Sequence, residues 1–283
     1  MKQASEWNRE ALLQSPLFAP LHPILADLVT SDFPTLHDCN ALLEARPSPI
    51  TVQSGAPLCF VAQERGKLPF EAQYEPRCFL KGEVPTRANN WHDLLNALVW
   101  LTFPKTKAVL NARHYHALME ERGLGKTVRG AVRDANTLLD ESGVIVVYAD
   151  AELDALLRDF QWKELFWQRR EQVRAGHFDR LRTGMGFYLF GHGLYEKALQ
   201  PYAGMTGQGL LLAVEQTFFS WPLVQQLAHL DTLLADYLAA PEHCRNTRDF
   251  SPVPLLGVPG WATDNCIETY YDNTSYFRPG RRR

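Results

Sequence analysis

Nowhere in its 283 residues does the chain carry an apolar run approaching the roughly 20 residues that cross a bilayer as a helix; ALVWLTF and GLLLAV are both far shorter. A secretory leader is also missing from view, because MKQASEWNREALLQSP carries acidic residues and has no basic start, apolar middle or small-residue cleavage site. The expectation is a cytoplasmic chain without a membrane span. The five cysteines, Cys39, Cys59, Cys78, Cys244 and Cys266, form no CxxC pair and are odd in number, which argues against a disulfide framework and against a cysteine zinc site. Positive charge is not in excess either. Against 29 Lys and Arg stand 32 Asp and Glu, a net charge of −3, so nucleic acid is not favoured and would need a local basic patch such as Lys163 to Arg174 or the tail Arg278 to Arg283. Several chemistries lack their signatures: there is no GxxxxGKS or GxxxxGKT, no GxGxxG, no GxSxG and no HExxH. The GKT at Gly125–Thr127 has neither the first glycine nor the preceding strand of a phosphate loop.

What is present is the balance of a folded protein, 46% hydrophobic and 22% charged. With no repeat and no low-complexity linker, one domain over residues 1–283 is the simplest organisation, a helical lead-in over 1–50 followed by a larger body. Prolines 16, 20, 23 and 34 break the lead-in into short helices, with Thr35 placed to cap one of them. The runs LCFVAQ and FEAQYEPRCFL around an ERGK turn predict a hairpin or two neighbouring strands between 57 and 82. Asn89 or Asn90 is placed to cap a helix from Trp91, with Leu94, Leu95, Leu98 and Leu101 at helical spacing, and Pro104 starts the next helix, to about Glu121. A strand over Val144–Tyr148 and a helix capped by Asp150 follow. Trp162 to Ala240 reads mostly as helix interrupted by glycines, and the last 40 residues hold Trp261, Tyr270, Tyr271, Tyr276 and Phe277, rings large enough to pin an otherwise aperiodic tail to the body. The fold class expected is therefore α+β, predominantly helical, with a small β-sheet and an ordered extended C-terminal segment.

Four groups of residues have the make-up of a chemical site. In NNWHDLLNALVWLTF, His92, Asp93 and Asn96 cluster near the start of a helix, where an imidazole beside a carboxylate suits a divalent metal and the positive helix end suits an anion. In FGHGLYEKALQP, His192 and Glu196 stand four apart and share a helix face, a common ligand spacing. In LNARHYHAL, His114 and His116 point apart on a helix, so at most one joins a shared site. In LLDESGV, Asp140 and Glu141 precede a strand; if that strand is central, they lie at its edge, where a general base is well placed.

Taken together, NWHDLLNALVWLTFPKTKAVLN, LLDESGV, FGHGLYEKALQP, LLGVPGW and YYDNTSYFRPGR resemble a bacterial family known as domain of unknown function 3025, over roughly residues 55 to 280. The resemblance implies a bacterial, cytoplasmic origin and a family domain spanning most of the chain; it carries no activity, cofactor or catalytic residue. The His92–Asp93 doublet is also similar to that of HD-type metal phosphohydrolases, although Asn89, Asn90 and Trp91 precede it in place of an apolar helical run. The function expected is a metal-assisted hydrolase. His92, Asp93, His192 and Glu196 would hold a divalent ion (zinc, manganese or iron), Asp140, Glu141 and Asn96 would serve the chemistry with His114 as a supplement, and the partner would be a small-molecule or anionic substrate. A shared ion requires His92 and His192 to lie within about 10 Å of each other, since metal–ligand bonds run only about 2.0–2.2 Å. Two rival readings are a non-catalytic protein that binds a protein or nucleic acid through the aromatic and arginine surfaces Trp162 to Arg170 and Trp261 to Arg278, and a metal-free enzyme using His92 and Asp93 as acid and base.

Overall fold

The computed structural model describes residues 6–125, 129–174 and 183–280. Lys126 and Thr127 of the GKT stretch and Arg281 to Arg283 of the basic tail lie outside the described residues. Three short helices open the chain, α1 (Arg9–Gln14), α2 (His22–Asp27) and α3 (Leu36–Glu44). Thr35 caps α3 in a reciprocal box: its hydroxyl accepts from the Asp38 amide while the Asp38 carboxylate accepts from the Thr35 amide at 2.8 Å.

Between 57 and 82 only the first of the two expected strands forms, so the segment makes neither the hairpin nor a pair of neighbouring strands. β1 (Cys59–Ala62) and β2 (Glu83–Thr86) run parallel, and α4 (Tyr74–Lys81) is the crossover between them. The segment FEAQYEPRCFL is helical because Pro76 sits in the first turn, where its missing N–H costs nothing, and Gly82, at φ +72°, closes the helix in a left-handed turn.

Next come α5 (Trp91–Thr102) and α6 (Pro104–Gly123). Asn90 caps α5 by accepting from the Asp93 amide at 3.0 Å. The start of α6 is capped from a distance. Asp231 accepts from the Lys105 and Thr106 amides at 3.1 and 2.8 Å, which ties α6 to the helix that carries Asp231. The passage α7 (Ala131–Ser142), β3 (Gly143–Tyr148), α8 (Ala151–Arg158) follows as expected, with Asp150 capping α8.

Among its described residues the stretch from Trp162 to Ala240 is helical over about half its length and carries strands between the helices. It holds β4 (Val173–Arg174), β5 (Met185–Leu189), α9 (His192–Ala198), β6 (Thr206–Ala213) and α10 (Leu223–Ala239). With β7 (Ser251–Pro254) these strands form a five-stranded sheet in the order β4-β5-β3-β6-β7, so β3 is central. It pairs antiparallel with β5 and parallel with β6. Glycines that read as helix breakers are packing requirements of β6. A Cβ at Gly207 would lie 2.4 Å from Val144 Cγ2 and one at Gly209 would lie 2.8 Å from Val253 Cγ2, so each gives up side-chain area to let neighbouring strands pack.

One buried apolar cluster extends from Leu12 in the lead-in to Phe277 in the tail. After β7 the chain proceeds through short 3₁₀ turns, and Trp261, Tyr271, Tyr276 and Phe277 are buried. Tyr276 OH donates to the Met205 carbonyl at 2.8 Å and Trp162 Nε1 to the Arg278 carbonyl at 2.8 Å, so the tail is ordered and latched to the body. Much of the aromatic area that a binding surface would need is spent on this contact: Trp162, Phe166 and Trp261 are buried, and Phe166 and Trp167 face Tyr271. Among the described residues no helix is long and apolar enough to cross a membrane.

Candidate metal centre

Because β3 follows α7 directly and pairs Val144 with Leu189 of β5, the end of α7 and the start of α9 meet at one end of the sheet. The turn between β5 and α9 is held by Phe190 and Gly191, whose amides both donate to the Gly143 carbonyl, at 3.0 and 2.9 Å. Only glycine fits at 191, since a Cβ there would lie 2.5 Å from the backbone nitrogens of Ser142 and Gly143. Asp140 and Glu141, in the last turn of α7, thus stand beside His192, the first residue of α9. Helix α5 packs against α9 and brings His92 to the same place.

Three groups converge there. His92 Nε2 and His192 Nε2 lie 3.1 Å apart, well inside the limit for a shared ion. Glu141 Oε1 is 3.7 Å from His92 Nε2 and 3.5 Å from His192 Nε2. Ligands in a tetrahedron at 2.0–2.2 Å are about 3.3–3.6 Å from one another, so this triangle has the dimensions of one face of such a polyhedron. Each histidine has a carboxylate behind it. Glu196 Oε2 is 2.9 Å from His92 Nδ1, and Asp140 Oδ2 is 3.7 Å from His192 Nδ1, a buried nitrogen with no hydrogen bond. Carboxylates in this position orient metal-bound imidazoles and fix their tautomer. His192 is buried while Glu141 and Glu196 are partly exposed, which leaves the outer side of the cluster accessible.

The electrostatics suit a neutral ligand at His192. Burial pushes its pKa down to about 4, with Asp140 opposing and Lys107 and His92 adding to the fall, so the imidazole is uncharged at neutral pH. Asp140 is subject to strong burial, which raises its pKa, yet the Lys107 ammonium, helped by His192 and His114, holds it below the ordinary carboxylate value. Glu141 is pushed up by burial and by the neighbouring Asp140 and Glu196 carboxylates, against the pull of His92 and Lys107.

Other residues expected at the site have different tasks. Asp93 is gripped by Arg87, whose backbone amide and Nε donate to Oδ2 at 2.7 and 2.8 Å and whose Nη2 donates to Oδ1 at 2.7 Å. It fastens the end of β2 to α5, and the His92–Asp93 doublet does not converge as a ligand pair. Glu196, expected as a ligand through its i,i+4 relation to His192, instead reaches across to the far nitrogen of His92, while Glu141, expected as a base, supplies the third converging atom. Asp140 is no free base, because it is ion-paired with Lys107. Asn96 lies behind the cluster, accepting from Lys107 Nζ at 2.9 Å and donating to Tyr74 OH at 2.7 Å. His114 is buried 4.0 Å from Glu75, and His116 packs on the Phe79 ring; neither joins the cluster. Lys107 was the unforeseen member. Its signal was a polar stripe, Lys107, Asn111 and His114, at the i, i+4, i+7 spacing of a buried helix face.

A family model described as "Protein of unknown function (DUF3025)" matches residues 58–281. The chain belongs to this family. No curated protein and no solved structure matches it. Every converging residue lies within the DUF3025 region, and the preceding lead-in supports it from behind: Trp7 packs on Trp91 of α5 at 5.6 Å between ring centroids, and Phe18 packs on Tyr195 of α9 at 5.4 Å.

Proposed function

We propose that this DUF3025 protein is a metal-assisted hydrolase in which His92, His192 and Glu141 hold one divalent ion, zinc, manganese or iron. The observation that carries the reading is the convergence of two imidazole nitrogens and one carboxylate oxygen within 4.8 Å of one another, from three different helices. Two histidines and a carboxylate with an open side are a donor set of hydrolytic zinc centres and of other divalent ions. When bound, such an ion lets water act as a nucleophile near neutral pH. His192 offers a neutral Nε2, Glu196 orients His92, and Glu196 and the second oxygen of Glu141 are the acceptors at hand for the proton that the water gives up. The N-terminus of α5 favours an anionic group on a small substrate beside His92. All five cysteines are free thiols, which accords with a reducing compartment such as the cytoplasm.

Elemental analysis of protein purified without an affinity tag tests the reading. Wild type is expected to carry close to one equivalent of a divalent metal and the His92→Ala, His192→Ala double variant none; an absence of metal from both, even after reconstitution, overturns it. Gly193→Ala is a subtler probe, because a Cβ at 193 would come within 2.3 Å of Glu141 Oε2 and 3.1 Å of the Glu141 carbonyl, so the carboxylate has to leave the triangle. The expected result, read by chelator competition, is metal binding weakened at least about tenfold with little change in the urea midpoint. Unchanged affinity in G193A would remove Glu141 from the ligand set.

A further inference from the structure

Behind the cluster runs a buried chain of polar contacts. Asn96 Nδ2 donates to Tyr74 OH, Lys107 Nζ donates to Asn96 Oδ1 and to Asp140 Oδ1, and the other oxygen of Asp140 faces His192 Nδ1 at 3.7 Å. Lys107 is only 3% exposed, and no part of the proposed hydrolysis calls on it. An ammonium has donors and no acceptor. It therefore dictates the polarity of the chain: any group at 140 that touches Lys107 has to turn an oxygen toward it. At a neutral imidazole, the nitrogen left free for a metal is decided by what the other nitrogen bonds. Two groups near His192 Nδ1 are placed to accept from it, the carboxylate and the backbone carbonyl of Asp140.

We propose that Lys107 and Asp140 are a positioning pair for His192: Lys107 holds Oδ1, so that Oδ2 is the acceptor offered to His192 Nδ1–H, which keeps the ring proton on Nδ1 and leaves Nε2 as a donor to the ion. The proposal rests on the metal-centre reading, and it makes a prediction that a merely structural ion pair does not. In Asp140→Asn, Lys107 claims the amide oxygen and the NH₂ group is turned to His192 Nδ1, which then has to accept, moving the ring proton to Nε2 and blocking the ligand atom. If Lys107 is also replaced, the amide is free to turn round and offer its oxygen to Nδ1.

The test is zinc affinity by chelator competition, with urea midpoints measured in parallel. Wild type and the K107M/D140N double variant should bind Zn²⁺ within about threefold of each other, whereas D140N should bind about 10–100-fold more weakly. A third variant, K107M/D140L, has the same net charge as K107M/D140N and no polar atom at 140; it should also bind about 10–100-fold more weakly. Equal affinities for the two double variants would overturn the proposal, because charge alone, or the backbone carbonyl, would then account for the site. Should K107M/D140L fail to fold, K107M/D140A, which has the same net charge and likewise no acceptor in the side chain at 140, takes its place: zinc affinity retained in K107M/D140N and lost in K107M/D140A supports the pairing, and equal affinities refute it. A wild type that takes up no zinc while remaining folded would bring down the metal-centre reading itself, an outcome distinct from wild type and all variants binding alike.

Discussion

Replacing Lys107 by methionine is expected to destabilise the protein by about 3–5 kcal/mol, a large part of the roughly 5–15 kcal/mol available to a domain. The size follows from what is left behind. Lys107 and Asp140 are both withdrawn from solvent and ion-paired, and Asn96 accepts a further hydrogen bond from the ammonium at 2.9 Å. Methionine fills nearly the same volume, so the loss is not a cavity. It is the cost of a carboxylate confined without its counter-charge. Burial is the strongest influence raising the pKa of Asp140 and the Lys107 charge is the strongest one lowering it, so in the variant the folded pKa rises above its unfolded value near 3.9. A group shifted in that direction takes up protons on folding, and its penalty is largest above the folded pKa and fades as pH falls toward about 4. Urea unfolding at neutral pH and at about pH 5 should therefore show a deficit that narrows on acidification. A loss below about 1 kcal/mol at neutral pH would mean that Lys107 is better solvated than its burial indicates.

The parts of this protein that could be read in advance are those whose cause is local. Asn90 followed by Leu94, Leu95, Leu98 and Leu101 specifies α5 by a cap and a periodicity, and Val144–Tyr148 is β-branched and aromatic enough to declare β3. β5 and β6 escape a reading of the sequence for a tertiary reason: they carry Gly186, Gly207 and Gly209, residues that weaken an isolated strand and are required here by the close approach of side chains on adjacent strands. Crossover geometry likewise turned an apparent hairpin into the parallel pair β1 and β2. At the site, residue types were legible and roles were not. His92 and His192 are 100 positions apart and were matched only because each sits at a helix start. The i,i+4 spacing points Glu196 at His192, whereas it serves the histidine of another helix, and the doublet points Asp93 at a metal, whereas Arg87, six residues earlier, encloses it. Partners supplied across the fold leave no periodic trace in the chain.

Acid should unfold the metal-free protein in a window that belongs to His192. Its folded pKa is depressed to about 4 mainly by burial, whereas in the unfolded chain it titrates near 6.5. Between those values the unfolded state binds a proton that the folded state refuses. Stability from this group is therefore complete above about pH 6.5, falls by up to about 1.4 kcal/mol per pH unit as the solution is acidified, and has lost about 3 kcal/mol by pH 4. Two neighbours modify the curve. Glu141, raised mainly by burial, takes up a proton more readily when folded and opposes the loss above its unfolded pKa, while Asp140, held low by Lys107, adds its own loss only at lower pH. The net slope between pH 6.5 and 5 should thus keep the sign set by His192. His192→Gln isolates the contribution, since glutamine fills the space and does not titrate. In the presence of a chelator, urea unfolding free energies of the variant should vary less steeply with pH than those of wild type by close to one proton across that interval. Parallel curves for the two proteins would show that His192 is not held neutral by the fold, and with that the reason for its readiness to act as a ligand near neutral pH would disappear.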